Sequence, residues 1–127
     1  MILNHAKYHL IITKPPSVNT LYGFTRRGFK YITKKGKDWF EENLWEIKRQ
    51  LPNVRTIKRS QITIRLKTIQ LDIDNVLKGA LDLLTKGTVI EDDQYIMKLI
   101  ITKELVHRRK DEGLDIIIEE LHETPSI

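Results

Sequence analysis

Carboxylates between residues 72 and 93 are the side chains in this sequence whose types and spacing could carry out chemistry. Asp72 and Asp74 are separated by one residue, and the acidic group Glu91-Asp92-Asp93 follows further along the chain. Alternate residues of an extended segment point to the same side, so Asp72 and Asp74 can converge on one point. Carboxylate oxygens at this density suit Mg²⁺ or Mn²⁺, which retain several waters and pair with substrate phosphates.

Lys78 adds a positive charge to this acidic segment. It follows Asp74 by four residues, so the two side chains would share one face of a helix. An ammonium group beside a metal-bound phosphate would offset the charge that develops on the phosphoryl oxygens during cleavage. Structural roles are also open: Asp72 or Asp74 could cap a helix, Lys78 could pair with Asp74 in solvent, and residues 91–93 could form a solvated loop.

Charge is distributed unevenly along the chain. Residues 1–70 carry 15 Lys and Arg against 4 Asp and Glu, a net charge of +11, whereas residues 71–127 carry 7 against 13, a net charge of −6. A basic half followed by an acidic half is typical of a protein that binds a polyanion on one surface, although charged residues also cover the surface of any small protein. Cysteine is absent, which excludes disulfides, Cys-ligated metal centres and a thiol nucleophile.

The elements that must position these residues follow from hydrophobic periodicity. The length of 127 residues predicts one domain spanning residues 1–127. Apolar runs and alternation predict strands at 8–13, 61–69, 95–106 and 114–121, and a hairpin from 21–25 and 29–33 with Arg26-Arg27-Gly28 at its tip. Apolar stripes predict helices at 34–50 and 72–85, with Thr33 capping the first. This order predicts an α+β (mixed α/β) fold with two principal helices on a small mixed β-sheet.

The acidic segment resembles the core of a known family. The run Asp72-Ile73-Asp74-Asn75-Val76-Leu77-Lys78-Gly79-Ala80-Leu81-Asp82-Leu83-Leu84-Thr85-Lys86-Gly87, followed by Ile90-Glu91-Asp92-Asp93-Gln94, is similar to that of the RusA family of Holliday-junction resolvases, which phages and prophages often carry. The resemblance extends upstream to Pro15-Pro16-Ser17 and Asn19 and to the hairpin, so it covers most of the chain.

The resemblance implies a homodimeric, Mg²⁺-dependent endonuclease (Mn²⁺ is an alternative ion) that cuts two strands of a four-way DNA junction symmetrically. Carried over by position, the metal-binding and catalytic carboxylates are Asp72, Asp74 and Asp93, and Lys78 is the essential lysine. The adjacent Asp92 leaves the choice of the third acid open.

The chain departs from the family pattern just before the first aspartate. Many members have an arginine-rich run there, whereas this chain has Lys67-Thr68-Ile69-Gln70-Leu71. Either junction affinity is lower, or DNA is held by basic residues elsewhere; the candidates are Arg26, Arg27, Lys30, Lys34 and Lys35.

Two other functions remain open at this point. The same metal site could cut other branched DNA, such as forks or flaps, or the chain could be a non-catalytic basic DNA-binding domain whose acids are caps and surface charges. No apolar run approaches the ~18 residues of a membrane span, and the first residues lack the layout of a signal peptide. We therefore expect a cytoplasmic protein with no membrane partner.

Overall fold

A four-stranded mixed sheet is the frame of the protein in the computed structural model. The structure describes residues 5–69 and 74–122, with the backbone alone at residues 74 and 75. The strands are β1 (Lys7–Ile12), β2 (Tyr22–Phe24), β3 (Lys30–Ile32), β4 (Ser60–Thr68), β5 (Ile96–Leu105) and β6 (Gly113–Glu120). The helices are α1 (Val18–Leu21), α2 (Lys34–Gln50) and α3 (Asp74–Lys86), with short 3-10 turns at Asp93–Tyr95 and Arg109–Asp111. The predicted α+β class is confirmed.

The order of the strands determines where the acidic segment lies. The main sheet runs β1-β6-β4-β5, and β2 pairs with β3 in a separate hairpin. β4 and β5 are parallel, whereas β6 is antiparallel to both β1 and β4. Parallel neighbours need a crossover, and α3 is the helix between these two strands. The carboxyl end of β4 therefore leads into the start of α3, and the chain returns from the end of α3 to the start of β5.

One face of the sheet carries the hydrophobic core. Burial alternates along β4 and β6, with every second side chain buried, as expected for strands covered by helices on one side. Thr33 accepts a hydrogen bond from the Gly36 amide at 3.0 Å, which confirms it as the cap of α2. The core side chains come from α2, α3 and the sheet, and they include Phe40, Ile47, Leu83, Leu84, Ile62, Ile64, Leu66 and Ile116. Among the described residues, no helix is long and apolar enough to cross a membrane.

The strand predicted at residues 21–25 starts one residue too early. Leu21 ends α1, a single helical turn that was not predicted, and β2 begins at Tyr22. The Ser17 carbonyl accepts the Leu21 amide at 2.9 Å, and the Leu21 side chain is fully buried. A four-residue turn is too short for an apolar periodicity, so tertiary packing alone distinguishes it from the start of a strand.

Glu112 joins three segments at the end of β4. Its Oε2 atom accepts hydrogen bonds from Lys14 Nζ at 2.9 Å, Thr68 Oγ1 at 3.1 Å and the Ile69 amide at 3.0 Å. Burial by itself would raise the pKa of this carboxyl, but the hydrogen bonds from Ile69, Lys14 and Thr68 hold the pKa below its usual value. Glu112 therefore anchors the point where the chain leaves the sheet toward α3.

We expect Glu112→Gln to lower the free energy of unfolding by about 1–3 kcal/mol at neutral pH, because charge-assisted hydrogen bonds to a largely buried carboxylate are lost. Because the pKa of Glu112 is lower in the folded protein than the ordinary glutamate pKa of 4.5, the ionised carboxylate stabilises the folded protein at pH values above 4.5. This contribution is lost as the pH falls through the folded-state pKa. Urea unfolding measured across this pH range should show that the difference in free energy of unfolding between the variant and the unsubstituted protein becomes smaller in acid. The exposed Glu41→Gln is the control, and a pH-independent difference would contradict the assignment.

Candidate active site

Lys78 is held in place by an acid that the sequence analysis did not select. Its Nζ atom lies 3.2 Å from Asp82 Oδ1, one turn further along α3. The other oxygen of Asp82 accepts a hydrogen bond from the Tyr22 hydroxyl at the start of β2. Asp82 therefore orients the Lys78 ammonium and joins α3 to the hairpin.

Tyr22 remains a neutral hydrogen-bond donor at any ordinary pH. Burial, the hydrogen bond to Asp82 and the negative charge of Asp82 all raise the pKa of its hydroxyl well above the usual value for tyrosine. In the hydrogen bond between a neutral phenol and an ionised carboxylate, the phenol donates and the Asp82 carboxylate accepts. One Asp82 oxygen is thus occupied by Tyr22, and the other faces Lys78.

A positively charged cleft lies between the hairpin and α3. Its volume is about 390 Å³, and its lining residues are Tyr22, Lys30, Tyr31, Ile32, Lys78, Asp82, Thr85 and Lys86. Three ammonium groups against one carboxylate favour an anionic ligand such as a phosphate. Gly23 allows the Tyr31 ring to approach the backbone of β2, because a Cβ there would lie 2.5 Å from that ring.

The chain folds back after α3, and the 3-10 turn that begins with Asp93 contacts this helix. Asp92 caps the 3-10 turn by accepting the Gln94 amide at 3.1 Å, whereas Asp93 is exposed. The pKa of Asp93 is raised, first by its hydrogen bond with Asp92, then by burial and by the Asp92 charge, while the positive charge of Lys78 opposes the shift. The fold thus supplies the return path that the sequence could not show.

Two of the predicted acidic ligands, Asp72 and Asp74, cannot be placed as ligands. Asp72 lies outside the described residues, and Asp74 is described only as the first residue of α3. No three His, Asp or Glu side chains converge within the described part of the chain. A three-carboxylate metal site at Asp93 therefore requires the side chain of Asp72 or Asp74, and the predicted metal site stays a prediction.

The five predicted DNA-binding residues lie on the hairpin and on the first turn of the next helix. Arg26 and Arg27 are exposed at the hairpin tip, where Gly28 adopts a positive φ of 85°. Lys30 lies on β3, and its Nζ atom lies 4.0 Å from the centre of the Tyr22 ring. The remaining two are exposed on α2: Lys34, which forms a long 3.9 Å ion pair with Asp38, and Lys35. The hairpin therefore extends from the cleft that contains Lys78.

Sequence reasoning missed Asp82 and Tyr22 for different reasons. Asp82 is four residues after Lys78, a spacing that brings two side chains together on a helix, so the pattern could have identified it. Asp74 has the same spacing on the other side, and the sequence cannot rank the two partners. Tyr22 is 60 residues from Asp82 in the chain, and only the packing of the hairpin on α3 joins them.

Comparison with known proteins places these residues within one family match. A family model described as endodeoxyribonuclease RusA matches residues 14–119. A curated relative, the crossover junction endodeoxyribonuclease rusA of Enterobacteria phage HK97, is 33% identical over 94 residues, which cover 69% of this chain and 75% of the relative. The matched region includes the hairpin, α3 and Asp93.

We expect the Tyr22 and Asp82 substitutions to be non-additive. Asp82→Ala leaves the Tyr22 hydroxyl without its partner and should lower the free energy of unfolding by about 1–3 kcal/mol. Tyr22→Phe removes the same hydrogen bond, so the double variant should be less destabilised than the sum of the single variants, by about 0.5–3 kcal/mol. Urea unfolding measures this cycle. Asp38→Ala, in an exposed ion pair, is the control with a loss below about 1 kcal/mol, and strict additivity of the cycle would refute the link.

Proposed function

The chain belongs to the RusA family of endodeoxyribonucleases, and on this premise we propose that it resolves four-way (Holliday) DNA junctions by paired symmetric nicks that require Mg²⁺ or Mn²⁺. The observation that carries the proposal is the packing of the turn that bears Asp93 against α3, the helix whose Lys78 lines a positively charged cleft. An acid for a metal and a cation for a phosphate thereby lie on contacting segments, and the cleft with Lys78 lies at the base of a basic hairpin. This arrangement suits phosphodiester cleavage in DNA.

The predicted set of three aspartates has the chemistry that a hard divalent ion requires. Asp72, Asp74 and Asp93 would supply carboxylate oxygens, which Mg²⁺ and Mn²⁺ prefer. Asp92 uses one carboxylate oxygen to cap the 3-10 turn, and we therefore propose its neighbour Asp93 as the third ligand. A divalent ion bound here supplies a nucleophilic water at neutral pH and polarises the scissile phosphate.

Lys78 has a separate role at the phosphate. Its exposed ammonium is held from one side by Asp82, which leaves its remaining hydrogens available to a phosphoryl oxygen. A positioned cation stabilises the negative charge that grows on those oxygens in the transition state. Asp82 acts through Lys78 and is therefore a positioning residue.

The two neighbouring acids provide a matched pair of variants. Asp93→Asn should reduce cleavage of a labelled four-way junction in Mg²⁺ by roughly a hundredfold or more, because a metal ligand loses its charge. Junction binding in EDTA should persist or strengthen, since a carboxylate that repels phosphate has been removed. Asp92→Asn should retain most cleavage, because asparagine also caps a helical turn.

Metal binding distinguishes this prediction from a loss of folding. Titration of Mn²⁺ followed by calorimetry should show weaker binding to the Asp93→Asn protein than to the Asp92→Asn protein, at equal unfolding midpoints. Cleavage by Asp93→Asn at the wild-type rate would contradict the ligand assignment. Equal activity of the unsubstituted protein in Mg²⁺ and in EDTA would contradict metal dependence altogether.

The hairpin arginines should contribute to the salt dependence of DNA binding. Substituting both Arg26 and Arg27 by alanine should weaken duplex and junction binding and reduce the slope of log affinity against log salt by about 2, because each phosphate contact releases about one counterion. Lys48→Ala is the control: this exposed lysine lies 14 residues after Lys34 on α2, about 21 Å away along the helix. If the salt slope of the double arginine variant and that of Lys48→Ala both equal the slope of the unsubstituted protein, the hairpin tip does not contact DNA.

Symmetric nicking requires two active sites, so we also propose that the protein is a homodimer, and that it acts in the cytoplasm. A two-fold dimer presents two identical sites to a two-fold junction. A plasmid with an extruded cruciform measures this, because paired cuts give linear DNA and independent single nicks give open circles. We expect linear product and a dimeric mass in sedimentation. A monomer that yields open circles would contradict paired cutting, and equal cutting of flaps would change the substrate to branched DNA in general.

A further inference from the structure

Two phenylalanines at the tip of the β2–β3 hairpin are exposed. Phe24 is 69% exposed and Phe29 is 68% exposed, and they bracket Arg26-Arg27 in the run Phe24-Thr25-Arg26-Arg27-Gly28-Phe29. Leaving an aromatic ring exposed to water is unfavourable relative to burying it. The fold of this chain therefore leaves two large apolar rings without cover, next to two positive charges.

The tip presents these rings on an ordered backbone. The Thr25 amide donates to the Phe29 carbonyl at 2.8 Å, and the Phe29 amide donates to Thr25 Oγ1 at 3.0 Å. The Gly28 amide donates to the Thr25 carbonyl at 2.9 Å. Rings on a hydrogen-bonded turn lose little conformational entropy when a ligand binds, which favours a surface for recognition.

The hairpin is also connected to Lys78 through Tyr22 and Asp82. Tyr22 and Phe24 are two residues apart on β2, so their side chains point to the same face, and Phe24 pairs with Lys30 across the hairpin. Tyr22 is bonded to Asp82, which holds Lys78. The Cα atoms of Tyr22 and Phe24 are about 7 Å apart along a strand. A DNA group at Phe24 would therefore lie within a few nucleotides of a phosphate at Lys78, since nucleotides of one strand are spaced by about 3.4 Å.

We propose that the hairpin tip binds the branch point of the junction, where Phe24 and Phe29 stack on bases that have lost a stacking neighbour and Arg26 and Arg27 hold the adjacent phosphates. The proposal rests on the proposed function. Aromatic rings stack on any accessible base, and bases inside a continuous duplex are covered by their neighbours. The hairpin would thus select a branch point over duplex DNA.

The charge of the tip decides between DNA and a second copy of this chain. Two hairpin tips that packed together around a two-fold axis would bring four arginines close to one another, and like charges repel. DNA supplies both a phosphate for each guanidinium and a flat apolar surface for each ring. Charge complementarity therefore favours the nucleic acid.

The test compares a four-way junction with a duplex of the same sequence, both bound in EDTA. Phe24→Ala and Phe29→Ala should each weaken junction binding by about fivefold to a hundredfold, with duplex affinity within about twofold of the unsubstituted protein. Phe29→Tyr should restore the preference and Phe29→Leu should not, because leucine is apolar but cannot stack. A 2-aminopurine base at the branch point should change its fluorescence on binding, and the change should shrink in the alanine variants.

Trp45→Ala is the matched control, because this ring on α2 is 67% exposed and lies outside the hairpin. It should leave the ratio of junction to duplex affinity unchanged. Equal losses on junction and duplex, or no loss in either phenylalanine variant, would overturn the stacking role. A fall in oligomer mass by sedimentation that accounts for the weaker binding would overturn it in favour of a protein interface.

Failure of this inference is separable from failure of the proposed function. An unsubstituted protein that cuts the junction in Mg²⁺ while both alanine variants retain the full junction preference would overturn the hairpin role alone. An unsubstituted protein that neither prefers nor cuts the junction would overturn the proposed function, and with it the hairpin role.

Discussion

The carboxylate of Asp82 is the contact on which the arrangement of the candidate site depends. It accepts from Tyr22 on the hairpin and from Lys78 on its own helix, so one side chain connects the lysine to the hairpin. A carboxylate can serve two donors because it has two oxygens and no hydrogen to donate. The basic hairpin and Lys78, the lysine of the candidate site, are thereby connected through one side chain, although they belong to distant parts of the sequence.

The parallel pairing of β4 with β5 accounts for the rest of the site. A parallel pair requires the chain to cross over and return, and α3 makes that crossing between the two strands. Lys78 lies on the crossover helix, and Asp93 lies on the return, directly before β5. Glu112 anchors the point where β4 ends, so the chain leaves the sheet for the crossover from a fixed position.

Most elements could be predicted because each carries its own local pattern. The alternation of Ile62, Ile64 and Leu66 predicts β4, since one face of that strand is buried and the other is not. Thr33 and the apolar stripe after it predict α2. The missed turn at Leu21 has no such pattern, because four residues are too few to show a period. In the candidate site, the role of Lys78 stays a prediction, and its partner was ambiguous from the sequence between two acids at equal spacing.

Local chemistry was readable from the residues alone: which side chains could bind a metal or a phosphate, and which segments form helices or strands. These properties depend on neighbours within about four residues, where spacing and geometry are linked directly. Tertiary structure alone decided the return of Asp93 to α3 and the contact of the hairpin with that helix through Tyr22 and Asp82. These contacts join residues that are distant in the chain, and only the packing of the hairpin and of the return segment against the crossover helix brings them together.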